Sequence, residues 1–219
     1  MAVVLVLQQS LYPVSIVAPT DSIALHFSDF KPFSTAPPGL VRYDDTTWLL
    51  PEPTHLRDGG RLAVVDAASV RAFPLGRLSF AATFVGPAAG SGQPTRFSDE
   101  LVVFATTDAA TFHGFEFGVR LSLADGFVYA YSQFPNPLGG VVFQEHRMFA
   151  NDGRPHVYDL ALAGAAVTFG VDGTVRSAEF YPLGPHTDFF VIATAHRGSE
   201  GWDASGVALS VSDITVAPG

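Results

Sequence analysis

Between Phe115 and Leu123 the chain alternates strictly. Phe115, Phe117, Val119, Leu121 and Leu123 are apolar, and Glu116, Gly118, Arg120 and Ser122 stand between them. Successive side chains leave a pleated backbone on opposite faces, so this period of two predicts a half-buried strand with one apolar and one polar face. Asp125-Gly126 follows, a dipeptide suited to a two-residue hairpin turn. Phe127–Tyr131 then resumes the alternation, with Phe127, Tyr129 and Tyr131 on one face. A strand, a turn and a second strand are thus the expected centre of the molecule.

The same pattern recurs along the chain. Strands are predicted at Leu62–Val65, Arg77–Val85, Leu101–Thr106, Val141–Arg147, His156–Leu162, Ala166–Val171, Phe189–His196 and Val207–Val216. Asp172-Gly173 marks a second hairpin turn, and Gly86–Arg96 reads as a loop rich in Gly, Ala, Ser and Pro. Ile23–Phe27 reads as a strand, and the prolines of Phe30–Pro53 predict irregular loop. No stretch holds a helical period. The expectation is an all-β fold, a two-sheet antiparallel sandwich or jelly roll, with residues 1–219 forming a single domain. Residues 1–22 are expected as an N-terminal extension or pairing strand, with apolar stretches at Val3–Leu7 and Val14–Val17.

Composition narrows the function classes. Hydrophobic residues make up 47% of the 219 positions, enough for a substantial core. The net charge is −9, Lys31 is the only lysine and the arginines are scattered, which argues against nucleic acid as a partner. Without cysteine, neither disulfides nor thiolate metal sites can form. No apolar run reaches the roughly 20 residues of a membrane span, and the N-terminus lacks the charged region of a signal peptide. Few Asn and Met residues and many prolines match a hot habitat, although a GC-rich genome gives the same bias.

Three segments carry a family resemblance. Asp58–Phe84 (DGGRLAVVDAASVRAFPLGRLSFAATF), Phe112–Gln133 (FHGFEFGVRLSLADGFVYAYSQ) and Arg154–Val175 (RPHVYDLALAGAAVTFGVDGTV) resemble concanavalin A-like lectin and glucanase domains. The last is similar to the H-x-Y … F-x-V-D-G signature of laminin-G-like and family-16-glycosidase-like jelly rolls, and Val207–Pro218 to their closing strand. The resemblance runs from about Ile23 to Pro218 and implies two stacked, curved sheets, with glycans bound on the concave sheet or at its rim loops. It also implies an extracellular or cell-surface setting. The family's catalytic E-x-D-x-x-E does not transfer: Glu116 is present, but Gly118 stands at the Asp position, followed by Val119 and Arg120.

Candidate ligand-binding residues fall into three groups. The first is the loop after the strand ending at His196, with Arg197, Glu200, Trp202 and Asp203; an indole stacks on sugar faces and carboxylates accept hydroxyl bonds. Alternatively, Trp202 plugs the end of the sandwich. The second is Glu116 and Arg120 with Tyr129 and Tyr131, a sheet-face platform if the two strands align. The competing readings are a surface ion pair and ordinary cross-strand packing. The third is Gln144 and His146 on one face of Val141–Arg147, with Glu145 and Arg147 on the other; here the alternative is a solvated edge strand. The dispersed histidines argue against zinc. No other cofactor is expected, although the fold class accommodates calcium, for which Asp152, Asp172, Asp188 or Asp203 would serve.

Three readings of function remain open at this point. One is a non-catalytic, lectin-like carbohydrate-binding domain. Another is a structural subunit of a filament, sheath or virion that self-associates through its N-terminal strand by β-strand addition. The last is a divergent glycoside hydrolase or polysaccharide lyase using Glu116 or Glu145.

Overall fold

The computed structural model describes residues 22–26, 29–32, 41–42, 47–50, 65–69, 71–86, 100–108, 114–182, 187–196 and 208–219. Its elements are β1 (Ile23–Ala24), β2 (Phe30–Pro32), β3 (Val41–Arg42), β4 (Thr47–Leu50), β5 (Val65–Ser69), β6 (Phe73–Pro74), β7 (Arg77–Val85) and β8 (Glu100–Thr106). They continue with β9 (Glu116–Ser122), β10 (Phe127–Pro135), β11 (Val141–Ala150), β12 (His156–Ala163), β13 (Ala166–Val171), β14 (Thr174–Phe180), β15 (Asp188–His196) and β16 (Ala208–Ala217). Among the described residues no helix is long and apolar enough to cross a membrane.

The strands form two antiparallel sheets. Sheet A runs β14-β13-β12-β7-β16-β4-β3, with β1 also paired to β16. Sheet B runs β11-β10-β9-β8-β15-β5-β2, with β6 also paired to β15. Neighbours in space are often distant in sequence, as in β7 against β16 and β8 against β15, the connectivity of a jelly roll. The core lies between the sheets. Leu78, Phe80 and Phe84 of β7, Tyr158 and Leu160 of β12 and Phe169 of β13 meet Val103, Phe117, Val119, Leu121, Val128 and Val191 of sheet B, all essentially inaccessible to water. Aromatic pairs fill it edge to face, Phe117 against Phe189 at 5.3 Å and Phe84 against Tyr158 at 5.8 Å between ring centroids.

The expected all-β sandwich is therefore present, with local departures. Phe30–Pro53, expected as irregular loop, contains β2, β3 and β4, each held by a neighbouring strand. Around Leu62–Val65 the described strand starts at Val65 and runs to Ser69. β14 was not expected; it is an edge strand without an apolar alternation to announce it. The turn after β9 does not use Asp125-Gly126 as its two central residues. The register pairs Leu121 with Val128, which centres the turn on Ala124 and Asp125 and leaves Gly126 to take the left-handed φ of 73°. Asp172-Gly173 forms the expected two-residue turn, with both φ values positive at 51° and 75°. Val3–Leu7, Val14–Val17, and Pro87–Arg96 of the expected loop, lie outside the described residues.

Candidate functional site

β9 is the strand on which the site turns. Phe117, Val119 and Leu121 face the core, as expected, but its polar face is not a wet one: Glu116 is only 7% exposed and Arg120 only 4%. The expectation of a half-buried strand with a surface or rim ion pair is corrected here. Both faces of β9 are covered, and its polar side forms part of the outer face of sheet B, turned away from the core.

Register assembles that face. Residues directly opposite one another in an antiparallel ladder share a side. Tyr129 lies opposite Arg120 and then Arg147 on β11; Tyr131 lies opposite Gly118 and then Glu145; Gln133 lies opposite Glu116 and then Phe143. On the other flank β8 contributes Val102 opposite Arg120 and Phe104 opposite Gly118. Glu116, Arg120, Tyr129 and Tyr131 thus occupy one face.

Arg120 is the hub. Its Nη2 donates to Glu145 Oε2 at 2.5 Å, reaching across β10 to do so. Its guanidinium carbon lies 5.1 Å from the Tyr129 ring centroid and 5.9 Å from that of Phe143, in reach of cation–π attraction. Phe143 stacks on Tyr131 at 5.7 Å, and Arg147 lies over the Phe127 ring at 4.5 Å. The Tyr129 hydroxyl donates to Asp125 Oδ2 at 2.5 Å. Burial and that carboxylate together push the Tyr129 phenol up to about 12. Burial works against the charge on Asp125, but hydrogen bonds from the Tyr129 hydroxyl and the Phe127 N–H prevail and hold its carboxyl below the ordinary value.

Gly118 explains why the family's acidic motif is absent. A Cβ at this position would lie 2.5 Å from both the Phe104 Cβ and the Val103 carbonyl oxygen. The place of the motif's aspartate is filled by the neighbouring strand. Two of the carboxylates on this face, Glu116 and Glu145, stand two strands and two positions apart, which puts their Cα atoms about 12 Å from one another by strand geometry. Solvent reaches the β10–β11 side: Phe143 is 45% exposed, the Glu145 side chain is 28% exposed, Arg147 is exposed and Tyr129 is partly so.

Gln144 and His146 point the other way. The Gln144 amide donates to the Phe180 carbonyl at 3.0 Å and reaches the Ser132 hydroxyl at 3.4 Å, joining the edge of sheet B to the edge of sheet A. His146 is exposed near Glu179 of β14, whose carboxyl is raised by burial against the opposing charge of His146. The structure therefore does not bring these two residues together with the tyrosines. His196 ends β15, with its backbone opposite Glu100 of β8. Arg197, Glu200, Trp202 and Asp203 lie outside the described residues. Sequence reasoning missed Phe143, Phe104 and Asp125 as members of the face. The parity that put Glu145 and Arg147 on one side of β11 also puts Phe143 there.

Among the described residues no three His, Asp or Glu side chains gather to hold a metal ion. Of the aspartates named for calcium, Asp152 and Asp172 are both bonded to His156, Asp188 sits exposed on β15, and Asp203 is not described.

No protein-family model matches the chain, and no curated protein matches it. Solved structures do. A β-1,3-1,4-glucanase (lichenase) from a mouse hindgut metagenome superposes with a TM-score of 0.63 at 9% identity, over 89% of this chain and 97% of that one. A non-specific endo-β-1,3(4)-glucanase of glycoside hydrolase family 16 gives 0.60 at 11% identity, over 92% of each chain. The laminarinase catalytic domain from Thermotoga maritima gives 0.57 at 9% identity, over 83% and 80%. The likeness establishes the fold: a concanavalin A-like jelly roll, as the sequence resemblance implied.

Proposed function

We propose that this chain engages a polysaccharide on the outer face of sheet B, along the β10–β11 side. The observation that carries this reading is the register itself, which sets Tyr129, Phe143, Glu145 and Arg147 side by side on one accessible strip. Aromatic rings offer the apolar faces of sugars a flat partner, while the carboxylate and guanidinium bond hydroxyls in known directions. Binding to a panel of soluble glucans, measured by calorimetry, tests it. Phe143→Ala, which removes the most exposed ring, is expected to weaken binding roughly tenfold, about 1.4 kcal/mol. Undiminished binding by the variant, or no binding by the parent protein, overturns the assignment of this strip.

Hydrolysis is the second reading, and two observations favour it. The superposed structures named above are a lichenase, an endo-β-1,3(4)-glucanase and a laminarinase. Glu116 and Glu145 share the outer face, and side chains of that length narrow a 12 Å Cα gap (about that by strand spacing) toward the roughly 6.5–9.5 Å of an inverting pair. One carboxyl would protonate the leaving oxygen while the other activates water. Release of reducing ends from mixed-linkage and β-1,3-glucans is the assay. Loss of turnover in both Glu116→Gln and Glu145→Gln with binding retained supports hydrolysis. Binding without turnover in the parent protein leaves the lectin-like reading.

A further inference from the structure

At the corner where β11 gives way to β12, one histidine is held between two carboxylates. His156 opens β12 on the core-facing side, in step with Tyr158 and Leu160. Its Nδ1 lies 2.7 Å from Asp172 Oδ2, and its Nε2 lies 3.1 Å from Asp152 Oδ1. Asp152 belongs to the corner between β11 and β12, and Asp172 to the turn between β13 and β14. The Phe149 ring of β11 packs against the imidazole at 5.0 Å and Tyr158 at 6.3 Å. Asp172 adopts a left-handed φ of 51°, rare for a residue with a side chain. There its Oδ1 accepts the Val157 N–H at 2.9 Å while its own N–H donates to the Val157 carbonyl at 2.8 Å.

The geometry poses a proton-counting problem. A neutral imidazole has one N–H and one lone pair, so it can satisfy only one of two flanking carboxylates and turns its lone pair on the other. The imidazolium donates to both. The ring cannot escape by chelation either, because the carboxylates sit on its opposite nitrogens and do not converge on a shared ion.

We propose that His156 is a proton-operated latch: as imidazolium it fastens the β11–β12 corner to the β13–β14 turn, and on losing its proton it releases that corner. The charges around it are accounted for. Asp152 and Arg154 come from the corner, Asp172 from the turn and Arg176 from β14, while Phe149, Tyr158 and the facing Ala82 of β7 bring none. Burial of His156 disfavours its charge, but the bonds to Asp172 and Asp152 outweigh burial and raise it above the ordinary histidine value. Its stabilisation is therefore fully present below the unfolded value of about 6.5 and is lost as pH rises through the higher folded value. Asp152 and Asp172 are shifted down; in Asp152 the Arg154 N–H leads, and in Asp172 burial is overcome by the bond from His156. Their share is present above about 4 and lost as pH falls through their lower folded values. The latch is closed between these limits. Opening it slackens the end of β11, the strand that carries Glu145 and Arg147.

The inference stands independently of any glycan. The test is an NMR titration of His156 in the full chain, together with thermal melts of the parent protein, His156→Gln and Asp172→Asn from mildly acidic to mildly alkaline pH. The expected result is a His156 midpoint above about 6.5 and a melting temperature that falls by about 2–4 °C across it, a fall that His156→Gln lacks and Asp172→Asn reduces. A midpoint at or below the ordinary value, or the same pH slope in parent and variants, overturns the latch. If the variants do not fold, the parent titration decides alone.

Discussion

The two sheets turn very different outer faces to their surroundings. Sheet A is faced mainly with small side chains: Ser79, Ala81 and Thr83 on β7, Ala161 on β12, Thr168 on β13, and Ser210, Ser212 and Thr215 on β16 are all partly exposed, with the exposed Val85 and Val157 among them. The ion pair of Arg77 with Asp159 lies within that face. Sheet B carries Phe104, Glu116, Arg120 and Tyr131 there, each at 7% exposure or less. A sheet needs only one dry face to fold, and sheet A stops at that. Sheet B also covers an ionised arginine and a glutamate on its second face, which costs desolvation and is tolerated only with partners in place. The difference teaches where this fold departs from the minimum that stability requires.

The comparison can be broken most directly by removing a cation from each face. Arg120→Met leaves the Glu145 carboxylate without the guanidinium that donates to it and is expected to cost about 1.5–3 kcal/mol in denaturant unfolding. Arg77→Met on sheet A should cost roughly 1 kcal/mol. Equal losses would mean that the two faces are energetically alike.

A milder contrast uses one methyl group. Gly118→Ala drives a Cβ into Phe104 and the Val103 carbonyl and should destabilise by about 1–3 kcal/mol. Gly170 of β13 has its nearest foreign atom, the Asp159 Cβ, at an ordinary 3.5 Å. Gly170→Ala should therefore change stability by less than about 1 kcal/mol, in the favourable direction. Thermal or urea melts of the pair suffice.

The smallest expected effect sharpens the electrostatics. Tyr129, held up to about 12 by burial and Asp125, should titrate closer to the ordinary tyrosine value in Asp125→Asn, followed by tyrosinate absorbance. An unchanged midpoint would assign the whole shift to burial.

These contrasts also mark what the sequence could disclose. The apolar side of β9 was legible because that strand announces its buried face by its own alternation, whereas the aromatic alternation read on β10 marks its outer face, and Val128 and Ala130 between the rings face the core. β14 was silent because an edge strand with no buried face has nothing to alternate: Thr174-Val175-Arg176 is exposed throughout. β2, β3 and β4 sit among prolines, and partner strands, not their own residues, make them extended. The outer face of sheet B failed for a different reason. Glu116 and Arg120 look like solvent residues in any one-dimensional window, and what buries them lies on other strands. Arg120 meets Glu145 across an intervening strand and 25 positions along the chain, a distance no spacing rule encodes. Gly118 was seen as a missing aspartate; only the packing of Phe104 reveals that nothing larger fits.

Ser132 and Gln144 of sheet B converge on a single acceptor, the carbonyl of Phe180 at the end of β14. Two donors on one oxygen act as a rivet between layers whose core contacts are greasy and directionless. Grease permits sliding; a rivet sets the alignment. Because Ser132 and Gln144 alternate along their strands with Tyr131 and Glu145, the exterior row is indexed to the opposite layer, and any shear between the layers would be transmitted to it.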